Sequence, residues 1–504
     1  MKYLMGIDIG TSKVKVGLFN LQGEFIDKIE SKYNIKSPKF NYSEVEPYVW
    51  WKIIKNNIKA LIKKNNINKN KIMSVGISSL CPALIAFDKH NEPLRPAIIF
   101  YDQRSIKEAE EIISIIPQKH FNLINGNKII SGTSSLTSIY WIKNNEPHIY
   151  NETRIFGHAN TYIASQLTGN LLVDKTNASY MGAYNIKEYK WEKSILKSLK
   201  LDYSKFPKVV SSTKLAGKIT SKASLETGLA KGTPVAIGGA DTACSAFALD
   251  IIEDNKIFES VGTSGVLTLS KEKPFMNTDC LNRCHVIDNH WLIHGAMSTP
   301  GATFEWLINE IAIYEKNKSK RLNISPYDLI SNTAKKSPPG ANGLIFLPYM
   351  KGERTPIWDS EAKGVLFGLT INNERSDIFR SVIEGICYGT KHVYDTLKQN
   401  INISPKSIIS VGGASKNNFL NQIKSDILQT KIETYNFQET AMLGAAILGG
   451  ISAKEIINYN QFIKSFTFKN PNIFESNKKH YDIYMKNFKK FKRLYPILKQ
   501  EFIN

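Results

Sequence analysis

The chain has 504 residues, of which 42% are hydrophobic and 22% are charged, a composition that excludes disorder as the main state and is sufficient for two domains. Its net charge is +21, but the basic excess lies in stretches rich in Lys, Asn and Ile, such as residues 63–71, which are typical of a solvated surface. No nucleic-acid-binding motif accompanies that charge, and no run reaches the roughly 18 uncharged apolar residues that a membrane span needs.

The first half begins with strands around a tight turn. Residues 4–9 form an apolar run, Gly10-Thr11-Ser12 is a turn signal, and alternation over residues 14–18 predicts a second strand. These elements predict a hairpin whose turn exposes backbone N–H groups. The further elements predicted in this half are a strand over 24–29, a helix over 47–63 and a strand over 72–78.

The second half repeats this beginning. A strand over 257–261 leads into Gly262-Thr263-Ser264-Gly265 and then into a strand over 266–269. This weak internal repeat predicts two α/β domains, over residues 1–247 and 248–504. The further elements predicted here are a helix over 301–313, a strand over 343–347, a helix over 375–398, a strand over 407–411, a helix over 417–429 and an amphipathic closing helix over 481–495.

Glycine-rich turns recur after the predicted strands. They lie at Gly10, at Gly262, at the helix start Gly301 and at Gly412-Gly413. Such turns present backbone N–H groups to phosphate oxygens without an obstructing side chain. Each alone is equally compatible with an ordinary turn, but their presence in both halves indicates a nucleotide site. No GxxxxGK[ST] run is present, so a P-loop is not predicted.

Two aspartates end apolar strands beside glycines. Asp8 lies in Gly6-Ile7-Asp8-Ile9-Gly10, and Asp241 follows Gly238-Gly239-Ala240. A carboxylate in such a place loses hydration unless a cation, a proton or hydrogen bonds compensate. Each is therefore a candidate for metal binding or catalysis. For Asp241 the alternative is a capping role on a helix over 242–249.

These segments resemble, in order and over nearly the whole chain, the FGGY carbohydrate kinases of the actin-like ATPase superfamily. The resemblance implies an α/β fold of two ribonuclease H-like domains with a catalytic cleft between them. The matching segments are residues 6–12, 239–241, 261–265, 363–369 and 411–419.

The resemblance also implies the cofactors and their residues. ATP would lie in the cleft, Asp8 would hold Mg²⁺, and Asp241 would accept the proton of the attacking sugar hydroxyl. The residues implied to line the ATP site are Gly10, Thr11, Ser12, Gly262, Thr263, Gly301, Glu305, Gly412, Gly413 and Asn417.

The segments around the expected sugar pocket most resemble the xylulokinase members of the family, but with departures. Cys81-Pro82 replaces the usual Met-His pair, and Ser138 replaces a lysine of the family signature. Pro82 donates no hydrogen bond from its side chain or its backbone. The candidate sugar contacts are Cys81, Tyr101, Asp102 and Thr242; core packing, or an Asp102–Arg104 ion pair, is the alternative.

We therefore expect an ATP-dependent kinase of a ketopentose, with a gluconate or other polyol kinase as the alternative within the family. From a different class, an actin-like nucleotide-dependent binding protein remains open. The expected partner is a small sugar or polyol, with neither nucleic acid nor membrane, and a homodimer is left open. The five cysteines, an odd number, predict no disulfide framework and a cytoplasmic location.

Overall fold

The computed structural model describes residues 1–466 and 470–502. The first half of the chain contains short and long strands that begin with the predicted hairpin. These strands are β1 Tyr3–Ile9, β2 Lys13–Asn20, β3 Phe25–Lys32, β4 Glu44–Val45, β5 Ile72–Ser79, β6 Ala83–Phe87, β7 Ala97–Ile99, β8 Ile155–Gly157, β9 Val173–Asp174, β10 Tyr184–Asn185, β11 Lys190–Trp191, β12 Val209–Val210, β13 Leu215–Lys218, β14 Pro234–Ala236 and β15 Gly239–Ala240.

The helices of this half connect and cover those strands. They are α1 Pro47–Lys64, α2 Ile106–Ile115, α3 Gln118–Ile124, α4 Ser135–Asn145, α5 Pro147–Glu152, α6 Ala159–Thr168, α7 Lys175–Ala178, α8 Lys193–Ser198, α9 Ser221–Thr227 and α10 Asp241–Ala248.

The first sheet has the order β13-β14-β5-β1-β2-β3, with β15 also paired to β5. Strands β1, β2 and β3 form an antiparallel meander, whereas β5 pairs with β1, β14 and β15 in parallel. Every residue of β1 after Tyr3 is buried, as expected for a strand covered on both faces.

The second half is arranged in the same way. Its strands are β16 Ile257–Val261, β17 Gly265–Lys271, β18 Leu281–Cys284, β19 Trp291–Met297, β20 Ile345–Leu347, β21 Val365–Phe367, β22 Ser407–Val411, β23 Lys431–Thr434 and β24 Asn472–Phe474. Its helices are α11 Pro300–Trp306, α12 Ile313–Leu322, α13 Pro326–Ala334, α14 Arg375–Ile401, α15 Asn418–Leu428, α16 Thr440–Ser452, α17 Tyr459–Phe466 and α18 Tyr481–Leu498.

The second sheet has the order β18-β19-β17-β16-β22-β23-β24. Its strand pairing matches that of the first sheet, because the hairpin β16–β17 is antiparallel while β22 pairs with β16 in parallel. The turn Gly10-Thr11-Ser12 and the turn Gly262-Thr263-Ser264 therefore occupy equivalent places in the two sheets. The predicted fold class of two ribonuclease H-like α/β domains is confirmed.

Helices α10 and α16 pack against each other, and one buried cluster joins them to residues of both sheets. Helix α16 packs so closely on β1 and β5 that its backbone carbonyls approach the glycines of these strands. A Cβ on Gly6 would lie 2.1 Å from the Met442 carbonyl oxygen, and one on Gly76 would lie 1.8 Å from that of Ala445. Only glycine permits this approach, so the first sheet is completed by a helix from near the end of the chain.

Most predicted elements are present, and their differences from the structure are local. The predicted helix over 301–313 is interrupted, because α11 ends at Trp306 and a π-helical turn over Leu307–Ile311 follows. The closing helix α18 buries Tyr484, Phe488 and Phe491 on one face, as its spacing predicts. The domain boundary at residue 247 stays a prediction. Within residues 1–466 and 470–502, no helix combines the length and apolarity needed to cross a bilayer.

Candidate active site

Asp8 and Asp241 lie on either side of the end of β5. Asp8 is opposite Ser78 in the β1–β5 register, and Ala240 is opposite Ser79 in the β15–β5 register. Asp241 follows Ala240 as the first residue of α10. Because both neighbouring strands run parallel to β5, their carboxyl ends bring the two carboxylates to one edge of the sheet. The structure thus joins two residues that are 233 positions apart in the sequence.

Asp8 is 5% exposed and has two partners. Ser78 Oγ donates to Asp8 Oδ1 at 2.9 Å, and Lys15 Nζ lies 3.6 Å from Asp8 Oδ2. Burial raises the pKa of Asp8, and the positive charge of Lys15 opposes that rise. Lys15 also lies 2.8 Å from Glu439 Oε2. Lys15 is not among the residues predicted from the sequence, although the pairing of β1 with β2 places it directly opposite Asp8.

Asp241 makes only local hydrogen bonds. The backbone N–H of Thr242 donates to its Oδ1 at 2.6 Å, and Thr242 Oγ1 lies 3.1 Å from the same oxygen. No described residue donates a hydrogen bond to Oδ2. The residue that precedes the helix is Ala240, so the alternative of Asp241 as the cap of a helix over 242–249 does not describe how α10 begins.

The electrostatics of Asp241 suit a proton acceptor. Burial and then the negative charge of Asp8 raise its pKa, while Arg283 opposes the rise. A carboxyl whose pKa is moved toward neutrality is a stronger base when ionised. No described residue engages the second Asp241 oxygen, and a free oxygen is the condition for receiving a proton from a bound hydroxyl.

The two carboxylates fit Mg²⁺ better than a metal with nitrogen or sulfur ligands. No group of three or more His, Cys, Asp or Glu side chains suited to a metal occurs among the described residues. Mg²⁺ is typically held by one or two carboxylates together with water and substrate phosphates. Asp8, which already accepts a hydrogen bond from Ser78, supplies one such carboxylate, while Asp241 lies beside it as the candidate base.

The glycine turns of the second half meet at the end of β16. A Cβ on Gly301 would lie 1.8 Å from the Gly262 carbonyl oxygen, and one on Gly412 would lie 2.5 Å from that of Val261. The N–H of Ala302 donates to the Thr263 carbonyl at 3.0 Å. Gly412 also has φ +91°, which favours glycine. These contacts hold the start of α11, the Gly262 turn and the Gly412 turn together.

The same turns leave part of their backbone exposed. Nothing lies within 4 Å of a Cβ position on Gly262 or Gly413, so both have room for a ligand. In the first half, the Gly10 N–H donates to the Lys13 carbonyl at 2.9 Å, and Tyr33 donates to the Gly10 carbonyl at 2.5 Å. The neighbouring residues Thr11, Ser12 and Thr263 are partly or fully exposed.

Glu305 and Asn417, the two polar side chains expected near the nucleotide, differ in exposure. Glu305 is exposed on α11. Asn417 is 5% exposed, and its Oδ1 accepts from the Leu420 N–H at 3.1 Å, capping α15. Its Nδ2 donates to Ser331 Oγ at 3.0 Å. The Asn417 amide is therefore engaged inside the protein, and its contact with a nucleotide stays a prediction.

The sugar candidates Cys81 and Thr242 lie next to Asp241. Thr242 adjoins it in the chain, and Cys81 packs with Val266, Trp358 and the buried Tyr180. Burial raises the pKa of the Cys81 thiol to about 12, which keeps it protonated. Tyr101 is half-buried, and burial raises its pKa while Arg354 opposes the rise.

Asp102 has a different environment from the other sugar candidates. Its two oxygens bind Arg104 Nε at 2.8 Å and Arg104 Nη2 at 2.7 Å, and the Ser43 N–H donates to Oδ2 at 2.6 Å. The carboxylate is thus occupied by the ion pair that the sequence left open as the alternative. Its contact with a sugar stays a prediction that the geometry does not favour.

Three residues that influence one another were not identified from the sequence as site residues: Tyr180, Arg283 and Arg354. The Cζ of Arg283 lies 4.1 Å from the centroid of the Tyr180 ring. Both Arg283 and Arg354 act on the pKa of Tyr180, opposing the rise that burial causes. A signal for Arg283 existed, since it is a cation within the short strand-like run Leu281–Cys284.

Two α/β domains with equivalent sheets, glycine turns at equivalent places and an acidic pair at the strand ends define the fold of the actin-like phosphotransferases. Profile comparison agrees. The N-terminal domain of the FGGY family of carbohydrate kinases matches residues 3–248, and its C-terminal domain matches residues 258–453. The chain belongs to the FGGY family of carbohydrate kinases and is a sugar kinase.

Individual relatives extend over almost the whole chain. It is 30% identical to a xylulose kinase of Staphylococcus xylosus over 95% of this chain and 98% of that protein. It is 28% identical to a gluconokinase of Bacillus subtilis over 91% of this chain and 89% of that protein. The fold is similar to a ligand-bound xylulose kinase from Lactobacillus acidophilus, with TM-score 0.90 and 24% identity, covering 100% of this chain and 99% of that one.

Proposed function

We propose that the protein transfers the terminal phosphoryl group of ATP to a hydroxyl of a small free sugar or polyol. The observation that carries this proposal is the unengaged oxygen of Asp241, located beside Asp8 at the end of β5. Asp241 would accept the proton of the attacking hydroxyl while the turns at Gly10 and Gly262 donate backbone hydrogen bonds to phosphate oxygens. Mg²⁺, held through Asp8, would neutralise phosphate charge.

A ketopentose is the leading substrate, and gluconate or another polyol is the second candidate. Relatives of both kinds are similar to this chain over most of its length. The second candidate is favoured by Pro82, which offers no hydrogen-bond donor where the xylulokinase-like members have histidine. A nucleotide-dependent binding protein without catalysis has less support, because binding alone needs no base at Asp241.

The test is ADP release by the purified protein with ATP and Mg²⁺ across D-xylulose, L-xylulose, D-ribulose, L-ribulose, erythritol, glycerol and D-gluconate. We expect Asp241→Asn to lower kcat by about 10²- to 10⁴-fold, because the amide cannot accept the proton. Asp482→Asn is the matched control, since Asp482 also lies in the first turn of a helix but is exposed. Near-normal kcat in Asp241→Asn would contradict the assignment of the base.

A further inference from the structure

Arg283 is a buried cation without a counter-ion. It lies on β18, opposite Leu292 of β19, and is 3% exposed. Within residues 1–466 and 470–502 its guanidinium forms no ion pair, and its Nε has no hydrogen-bond partner. A buried guanidinium in this state loses its hydration without compensation. Such a group is retained where a ligand supplies the missing partner.

The nearby acids do not supply that partner. Asp174 accepts Thr176 N–H and Oγ1 on Oδ1, and Asn160 and Asn177 amides on Oδ2. Its oxygens are therefore saturated by neutral donors. Asp241 forms no ion pair with Arg283 either, although the two charges influence each other.

Arg283 lies close to a candidate sugar residue, Cys81. Its guanidinium stacks on Tyr180, whose cluster contains Leu281 of the same strand, Cys81 and Val266. Tyr180 is 6% exposed. The glycine turns at Gly262 and Gly412, by contrast, meet at the end of β16. The free cation is thus grouped with the candidate sugar residues rather than with the phosphate turns.

A second guanidinium, that of Arg354, also acts on Tyr180. Arg354 donates from Nη2 to the Met297 carbonyl at 2.8 Å, and no ion pair to it is formed by a described residue. Arg354 influences Tyr101 as well as Tyr180. Arg283 stacks on the Tyr180 ring and Arg354 acts on its pKa. Neither guanidinium forms an ion pair with a described residue, and the hydroxyls of a neutral sugar bring no negative charge to them.

We propose that Arg283, assisted by Arg354, binds the carboxylate of the substrate, and that the substrate class is a polyhydroxy acid of the aldonate type. This inference rests on the proposed kinase function and selects its second substrate candidate, gluconate or a related acid, over the ketopentose. A carboxylate makes charge-assisted, bidentate bonds with a guanidinium, and these are stronger than bonds to neutral hydroxyls. The carboxylate end would lie at Arg283 and a hydroxyl of the same molecule at Asp241.

The experiment compares acids with neutral molecules of the same carbon skeleton. Values of kcat/KM are measured for D-gluconate against D-glucitol and for D-xylonate against D-xylulose and xylitol. We expect the wild-type protein to prefer the acid of each pair. Arg283→Gln should lower kcat/KM for the acids by about 100-fold or more relative to the neutral compounds, because any effect through the pKa of Asp241 is common to both, and Arg283→Lys should recover part of this relative loss.

Two controls separate binding from folding. Arg493→Gln removes an exposed arginine of α18 and should leave every value unchanged. Melting temperature is recorded for each variant with and without D-gluconate in the absence of ATP. The acid should raise the melting temperature of the wild-type protein but not that of Arg283→Gln.

Each other outcome overturns one proposal and leaves the other standing. If D-xylulose is phosphorylated well, the acids are not, and Arg283→Gln has no effect, the carboxylate site is wrong but the kinase stands. If Arg283→Gln raises KM for ATP equally with all acceptors, Arg283 acts on phosphate and the inference is also wrong. If D-gluconate binds through Arg283 without any ADP release, the carboxylate site stands and the proposed function fails.

Discussion

Arg104 and Arg283 are both buried arginines of this protein, but only Arg104 is surrounded by opposite charge. Arg104 binds Asp102 through two hydrogen bonds and lies 2.7 Å from Glu44 Oε1. Its guanidinium also stacks 3.8 Å above the Tyr42 ring. Arg283 has an aromatic neighbour, but no acidic residue that the structure describes forms an ion pair with it. A complete set of partners indicates a structural arginine, whereas a missing partner indicates a group kept for a ligand.

The largest expected difference between the two arginines is in how much each stabilises the fold. Arg104→Met leaves Asp102 and Glu44 buried without their shared cation, and we expect the free energy of unfolding to fall by about 3–5 kcal/mol. Chemical denaturation at neutral pH measures this change, with Arg493→Gln as the surface control. A loss below about 1 kcal/mol would show that the Arg104 network is not structural and would break the comparison.

The carboxylates of the two regions, Glu44 and Glu353, should also differ in how they affect stability as the pH changes. Glu44 is paired with arginine, but Glu353 forms no ion pair among the described residues and accepts bonds from the Ser298 and Arg354 N–H groups, each at 2.7 Å. Burial raises the pKa of Glu353 from 4.5 to about 7. Since the folded pKa is raised, its stabilisation is present below pH 4.5 and is lost as the pH rises through 7.

We therefore expect Glu353→Gln to flatten the pH dependence of unfolding. Between pH 4.5 and pH 8, the wild-type free energy of unfolding should fall by about 3 kcal/mol more than that of the variant. Denaturation curves at several pH values for both proteins provide the measurement. Parallel pH profiles would mean that Glu353 is ionised in the folded protein without cost.

The smallest effect is expected at Arg283 itself. Arg283→Met replaces an uncompensated charge with an apolar chain of similar length, so the free energy of unfolding should change by less than about 1 kcal/mol or should rise. Thermal unfolding without ligand is the measurement. A loss as large as that of Arg104→Met would reveal a structural partner and remove the contrast between the two arginines.

The local sequence pattern was sufficient to predict many helices and strands and to identify the acidic pair Asp8 and Asp241. The strand predicted over 407–411 has the bounds Ser407–Val411, because apolar residues and a following Gly-Gly define both its type and its end. Asp8 and Asp241 were recognisable because a charge at the end of an apolar strand beside glycine needs compensation. The family resemblance then related these positions to one cleft.

Contacts between residues far apart in the sequence could not be predicted from the local pattern. Nothing in the run Leu281–Cys284 tells which face of β18 meets Tyr180, about a hundred residues earlier. The pairing of Asp102 with Arg104 was foreseen only as an alternative, since the same residues suit a sugar contact equally well. Deciding it required the Ser43 and Glu44 contacts, which depend on how β4 pairs with β7.

The contact of α16 with β1 and β5 has a consequence for the order in which the chain folds. Residues 440–452 cover strands that are made within the first 80 residues, at distances that only glycine at positions 6 and 76 permits. During synthesis, the apolar face of those strands stays uncovered until residues 440–452 have left the ribosome. A fragment ending at residue 247 would expose this face to aggregation, and adding residues 440–452 as a separate peptide should restore its solubility.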